Sequence, residues 1–361
     1  MDSAVSQTNR RCERHSPCRK GGISDERVAL ARKSRQRMTL WRDGVDAWAT
    51  LAGAGDVGPI RADILEKDYW ATQVLRSLAE TFANDFVFKG GTSLSKAYHC
   101  IDRFSEDIDI LILSNGRSRN AVDQLMANMA DHACSQLHLA ADPQGRTRGR
   151  GTHRTERLVY PRDVAVSTGV LQPIVELEMG VRGSDLPPHA QRGIRPIIAD
   201  VLEEAGLAIA QFADLASFKA PVLHPGRTLV EKVLTLHERV TTGRWLESGR
   251  KNSPTQIGRH YHDIHRLLSL EDVRLWLEDR DEFELAVGDH LDVCRTHFGV
   301  EVPDRPRGGY GMSDAFRRDF SGSELLQRHY ETAMNDLFIG VPPIPQWFAV
   351  IETIEASRSL L

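Results

Sequence analysis

Apolar side chains recur at helical spacing between residues 38 and 82, where Ile64, Leu65, Trp70, Val74, Leu75 and Leu78 share one side of ILEKDYWATQVLRSLAE. The next run, Phe86-Val87-Phe88, is short, apolar and aromatic, and it stops at Gly90-Gly91, which predicts a strand closed by a turn. Leu94, Ala97, Tyr98 and Ile101 then return to helical spacing, so a helix is expected straight after the glycines. Asp107–Leu113 alternates, placing Ile108, Ile110 and Ile112 on one face and Asp107, Asp109, Leu111 and Leu113 on the other. A helix at 119–138, a Gly/Arg loop at 142–157 and a third strand at Ile174–Met179 follow. Beyond residue 190 the pattern predicts mostly helix, clearest at 197–208, 228–241, 259–269, 282–298 and 323–337, with Pro303–Gly311 as a loop. Mixed elements followed by helices predict an α+β protein with a small mixed sheet in a lobe at 37–190 and a helical lobe at 191–361.

Residues 1–36 carry Arg10, Arg11, Arg14, Arg19 and Lys20 but few large apolar groups, so a disordered basic tail is expected there. Cys12, His15 and Cys18 lie within it, yet a fourth ligand is missing and the spacing fits no common zinc site. The five cysteines, at 12, 18, 100, 134 and 294, form no regular framework and suit a reducing compartment. No apolar stretch is long enough to span a bilayer and no secretory core is present, so a cytoplasmic protein is expected. With 361 residues, 41% of them hydrophobic, the chain can bury the core of two or three domains. A formal net charge of −4 excludes a globally basic nucleic-acid coat, so any contact with RNA or DNA requires a local basic surface.

The candidate chemistry begins with the aspartates. Asp107 and Asp109 project from one face of a mostly apolar strand, where two carboxylates repel and lose hydration unless a cation joins them. Magnesium (or manganese) prefers such oxygens together with substrate phosphates, and in phosphoryl or nucleotidyl transfer it stabilises the attacking and leaving oxygens. The strand–Gly90-Gly91–helix junction lets backbone N–H groups approach a phosphate, and Thr92 and Ser93 offer hydroxyl donors. Either feature alone is common in turns. Their order along the chain is what makes them specific.

FKGGTSLSKAY followed by RFSEDIDI resembles the first motif of the AbiEii/AbiGii toxin nucleotidyltransferase family, within the DNA-polymerase-β-like superfamily. The resemblance extends over most of residues 60–340, including ILEKDYW, and implies a toxin of a toxin–antitoxin or phage-defence module. It also implies a third metal carboxylate from VELEMGVR: Glu178, with Arg182 after it, matches better than Glu176, although both share a strand face. In GRTLVEKVLTLHE, the resemblance gives Lys232 to the nucleotide phosphates and Glu231 a role in orienting it. Lys232 shares a polar stripe with Thr228, Thr235 and Arg239, which otherwise reads as a solvated helix face. In RHYHDIHRLL it places Asp263 in the active site, facing nucleotide or positioning Lys232, against the alternative of a surface Arg259–Asp263 pair. His260, His262 and His265 do not converge on a helix, so no zinc site is expected there. Ser105 matches a Ser-x-Asp-x-Asp pattern in which the serine is either a regulatory phosphorylation site or a turn cap.

The segment 144–163 carries Arg146, Arg148, Arg150, Arg154, Arg157 and Arg162 against Glu156 and Asp163 only. It reads equally as a solvated hairpin or as a contact for an RNA backbone, through Arg146, Arg148 and Arg150. The resemblance implies transfer of a nucleoside monophosphate from an NTP to a hydroxyl, with the 3′ end of tRNA as acceptor and a cognate antitoxin as partner. A protein acceptor, a small-molecule acceptor and a non-enzymatic binding fold are the rivals.

Overall fold

The computed structural model of the protein describes residues 39–43, 60–161, 172–181, 188–249, 252–339 and 343–361. The expected tail with Cys12, His15 and Cys18 lies outside the described residues, as do Arg162, Asp163 and Arg182. In chain order the first half comprises α1 (Leu40–Asp43), α2 (Ala62–Phe82), β1 (Phe86–Lys89), α3 (Gly90–Lys96), β2 (Ile108–Ile112), α4 (Arg119–Leu137), β3 (Ala140–Gly149), β4 (His153–Val159) and β5 (Ile174–Gly180). Then come β6 (His189–Ile194), α5 (Ile197–Glu204), β7 (Phe218–Leu223), α6 (Pro225–Thr241), α7 (Pro254–Leu268), α8 (Glu271–Glu278), α9 (Arg280–Val293), α10 (Ser323–Leu337) and α11 (Trp347–Ala356). The class is α+β, as the pattern predicts.

The seven strands form one mixed sheet in the order β3-β4-β5-β2-β1-β7-β6. β1 and β2 are antiparallel, whereas β2 with β5 and β1 with β7 are parallel. The alternation in β2 is realised as two buried faces. Ile108, Ile110 and Ile112 join the core built with α2 and α4, through Trp70, Val74, Met126 and Met129. Each isoleucine so buried contributes about 1.5–3 kcal/mol. Leu111 and Leu113 pack with Val87 and Leu223 on the opposite face. A second large core unites α6 to α11, and Leu94, Cys100 and Ile101 enter it from the segment after β1. Capping fixes where the helices begin: Ser118 accepts from Ala121 N–H ahead of α4, and Ser253 from Gln256 N–H ahead of α7. Gly258 lets α7 lie against α10, because a Cβ there would overlap the His329 carbonyl.

Two expectations need correction. Residues 142–157 are not a loop: β3 and β4 pair antiparallel, with a bulge between Asp142 and Thr147. The pattern hides this because β3 is an exposed edge strand, and because β4 buries Arg154 and Glu156 where a strand usually buries apolar groups. Arg154 Nε donates to Glu156 at 2.7 Å, which offsets part of the cost of burying the two charges. Past residue 190, where the pattern predicts mostly helix and no strand, β6 and β7 extend the sheet beyond β1. β6 is polar and mostly exposed, and Pro221 interrupts β7, so neither shows the usual strand signal. The sheet's core therefore runs on to Val222.

Candidate active site

The site begins where β1 ends. Lys89 is extended, and Gly90 turns the chain at φ 77°, a left-handed conformation that favours glycine. A Cβ on Gly90 would overlap the Asp109 carboxylate, so glycine alone lets this backbone lie against that side chain. At Gly91 a Cβ would come 2.7 Å from Arg103 Nη2 and 2.9 Å from Ser105 Oγ. The hydroxyls that follow are already engaged. Ser93 Oγ donates to the Gly90 carbonyl at 2.8 Å, while Thr92 Oγ1 donates to the Asp107 carbonyl and lies 2.9 Å from Ser105 Oγ. Ser93 thus braces the turn itself, while Thr92, with Ser105, ties it to the aspartate strand.

The sheet register assembles the carboxylates. Asp109 lies opposite Lys89 on β1 and opposite Glu178 on β5, and residues level with one another on adjacent strands project from the same face. Glu176 lies two residues earlier, level with Arg157 of β4. Burial pushes the Asp109 carboxyl up to about 7; Glu178 and then Asp107 push in the same direction, against Lys89 and Arg259. Three carboxylates therefore share one electrostatic neighbourhood. Among the described residues no three His, Cys, Asp or Glu side chains are grouped so that together they could hold a metal ion. Hard oxygen donors carrying excess negative charge fit Mg²⁺ or Mn²⁺ far better than a soft metal.

The helical lobe answers with cations. Asp263 of α7 is fully buried and accepts two bonds from Arg103, from Nε and Nη2, both at 2.6 Å. Lys232 of α6 adds its Nζ 2.8 Å from the same carboxylate. Burial opposes ionisation of Asp263, yet Arg103 and Lys232 outweigh it and hold the group well below the usual carboxylate range. Arg103 also bonds the Phe104 carbonyl and lies under Gly91, so one guanidinium joins the glycine turn to the helical lobe. Asp263 does not pair with Arg259 as a surface salt bridge. Glu231 does not orient Lys232 either: it bonds Lys89 at 3.0 Å and lies 3.5 Å from Arg227. Consecutive helix positions point in different directions, and Glu231 looks toward β1 while Lys232 looks toward α7.

The sequence profile of the nucleotidyl transferase AbiEii toxin family, of type IV toxin–antitoxin systems, matches residues 73–353. The chain belongs to this family. Among solved structures, MenT4, a nucleotidyltransferase toxin from Mycobacterium tuberculosis H37Rv, is similar at 16% identity and a TM-score of 0.42, over 86% of this chain and 98% of that one. No curated protein matches by sequence. The AbiEii assignment makes the chain a nucleotidyltransferase toxin with an antitoxin partner. No helix among the described residues is long and apolar enough to cross a membrane.

Two groups of candidate residues from this AbiEii chain remain to be placed. Arg146, Arg148 and Arg150, the arginines read as an RNA contact, differ in setting. Arg146 bonds the buried Glu156 at 2.6 Å, Arg148 lies 3.7 Å from Asp123, and Arg150 is exposed in the hairpin turn. The three α7 histidines diverge: His262 is buried against Phe338, and His265 bonds Thr353 at 3.0 Å. Arg103 is the residue that sequence reasoning left without a role. It stands inside the quoted RFSEDIDI run, but nothing local points to its partner 160 positions away.

Proposed function

We propose that the protein transfers a nucleoside monophosphate from an NTP to an acceptor hydroxyl at the 3′ end of tRNA, releasing pyrophosphate. The observation that carries this reading is the register of Asp109 with Glu178, beside Asp107, next to the Arg103–Asp263–Lys232 cluster. Asp107, Asp109 and Glu178 would hold Mg²⁺ or Mn²⁺, which when bound neutralises charge on the reacting phosphates. Glu178, rather than Glu176, is the third carboxylate on this reading, and it accepts the proton of the attacking hydroxyl. Gly90 and Gly91 bring backbone close to the carboxylates, where N–H groups meet the phosphates. Lys232 neutralises charge on the leaving pyrophosphate. Asp263, locked by Arg103, aims Lys232 and stays ionised because of its two cations. Ser105, bonded into the glycine turn, is a point where added charge would disturb the carboxylates.

An acceptor with a phosphate backbone follows the exposed hairpin arginines Arg148 and Arg150. Capping tRNA would stop translation in the cytoplasm, the outcome expected of a toxin restrained by its antitoxin or released during phage infection. The test is incubation of the purified protein with each α-labelled NTP, Mg²⁺, total tRNA and a protein extract, followed by separation of the fractions. Label on the tRNA 3′ end supports the reading. Label confined to protein or to small molecules replaces the acceptor. No label with any NTP, or label undiminished by Asp107→Ala and Lys232→Ala, overturns it.

A further inference from the structure

The Arg103–Asp263–Lys232 cluster pairs one carboxylate with two cations, Lys232 from the helical lobe and Arg103 from the segment before β2, and a third cation beside it is left over. Arg259 stands one helical turn before Asp263 on α7, so the two side chains share a face. It makes no ion pair with any described carboxylate, since Asp263 is fully occupied by Arg103 and Lys232. Its Nε is buried without a hydrogen-bond partner among the described residues. The charges that act on it are nevertheless those of the site: Arg103 repels it, while Asp107, Asp263 and Asp109 attract it. His260, the next residue, has a buried Nδ1 that also lacks a partner. Burial and then the charges of Lys232, Arg259 and Arg239 hold that ring well below its ordinary pKa, so three cations crowd one small volume.

An unpaired, partly desolvated guanidinium is costly in a resting protein, and like charges beside it add to the cost. Such an arrangement becomes favourable when an anion with several oxygens arrives, because a planar guanidinium donates two parallel bonds to it. The anion that the carboxylate side of the cleft would bring is the polyphosphate of the nucleotide. We propose that Arg259 is a second phosphate-gripping catalytic residue, binding non-bridging oxygens of the NTP polyphosphate alongside Lys232. This rests on the nucleotidyltransfer reading and deepens it. The two cations divide the work by their tethers: Lys232 is fixed to Asp263, whereas Arg259 forms no ion pair with a described carboxylate and has an unpartnered buried Nε.

The inference makes two linked predictions for Arg259→Gln in the full-length chain. Without ligand the variant melts at the same temperature as the parent or higher, because an uncompensated charge has been removed. With Mg²⁺ and inorganic pyrophosphate, affinity measured by calorimetry falls roughly tenfold to a hundredfold, as expected for one charge-assisted contact. Arg259→Lys recovers part of it. A lower melting temperature for Arg259→Gln would mean that the arginine serves the fold, and unchanged pyrophosphate affinity would mean that it does not meet phosphate; either result overturns the proposal. If the parent protein itself binds neither pyrophosphate nor any NTP, the nucleotidyltransfer reading fails, which is a separate outcome.

Discussion

Asp109→Asn should make the metal-free protein more stable at neutral pH, a direction opposite to most substitutions at buried charged positions. Burial, Glu178 and Asp107 raise this carboxyl from 3.8 to about 7. A raised acid is one whose ionisation the fold opposes. Below its unfolded pKa both states hold the proton and nothing is lost; above about 7 both release it and the full penalty is present. At about 1.4 kcal/mol per unit, a rise of roughly three units sets a ceiling near ~4 kcal/mol. The carboxyl is only partly buried by its exposed surface, and water in the cleft screens it, so about 2–4 kcal/mol is the expected gain at pH 8. The assay is urea denaturation of parent and variant in EDTA from pH 4 to 8.5. The variant's advantage should be near zero at pH 4 and grow through pH 5 to 7. Adding millimolar Mg²⁺ should then stabilise the parent by mass action and leave the variant almost unaffected. A variant that is less stable at pH 8, or a difference that is flat with pH, would refute the claim that the three carboxylates oppose one another's ionisation.

Gly90→Ala should cost about 1–2 kcal/mol for the left-handed backbone and reduce kcat by about a hundredfold, because the new methyl displaces the Asp109 carboxylate; a variant with parental kcat would count against a catalytic Asp109. Asp263→Ala strands Arg103 and Lys232 in the interior, so urea denaturation should report a loss of about 3–5 kcal/mol, and a loss under 1 kcal/mol would mean that the cluster is hydrated. In the hairpin the arginines should separate: Arg148→Glu with Arg150→Glu raises the acceptor KM about tenfold or more, leaves NTP binding intact and flattens the salt dependence. Arg146→Ala should instead cost about 1–3 kcal/mol of stability, because Glu156 loses a partner while buried. Equal effects of all three on acceptor KM would show that the Arg146–Glu156 pair opens on binding.

What the chain announces about itself depends on how locally each feature is encoded. The alternation of Ile108, Ile110 and Ile112 with Asp107 and Asp109 is visible because a strand repeats every second residue, and β2 buries both of its faces accordingly. Gly90-Gly91 is visible because only glycine tolerates the turn. The hairpin and the β6–β7 pair stay hidden because edge strands need no apolar face, and because the Arg154–Glu156 pair replaces one in β4. The same reason explains what the site withheld. Asp263 and Lys232 stand out only by resemblance, and their partner Arg103 has no local signature, since its energy of interaction arises 160 residues away. A buried ion pair of this kind adds little net stability over an apolar replacement. Its value lies in geometry: bidentate Arg103 fixes the Asp263 carboxylate, which fixes Lys232, and the register of β2 with β5 fixes Asp109 against Glu178. Replacing Arg103 by Lys keeps the charge but loses the second bond, so it should leave most of the stability and lower kcat more than it raises the NTP KM. Parental kcat in Arg103→Lys would mean that charge alone, without the fork, is enough to aim Lys232.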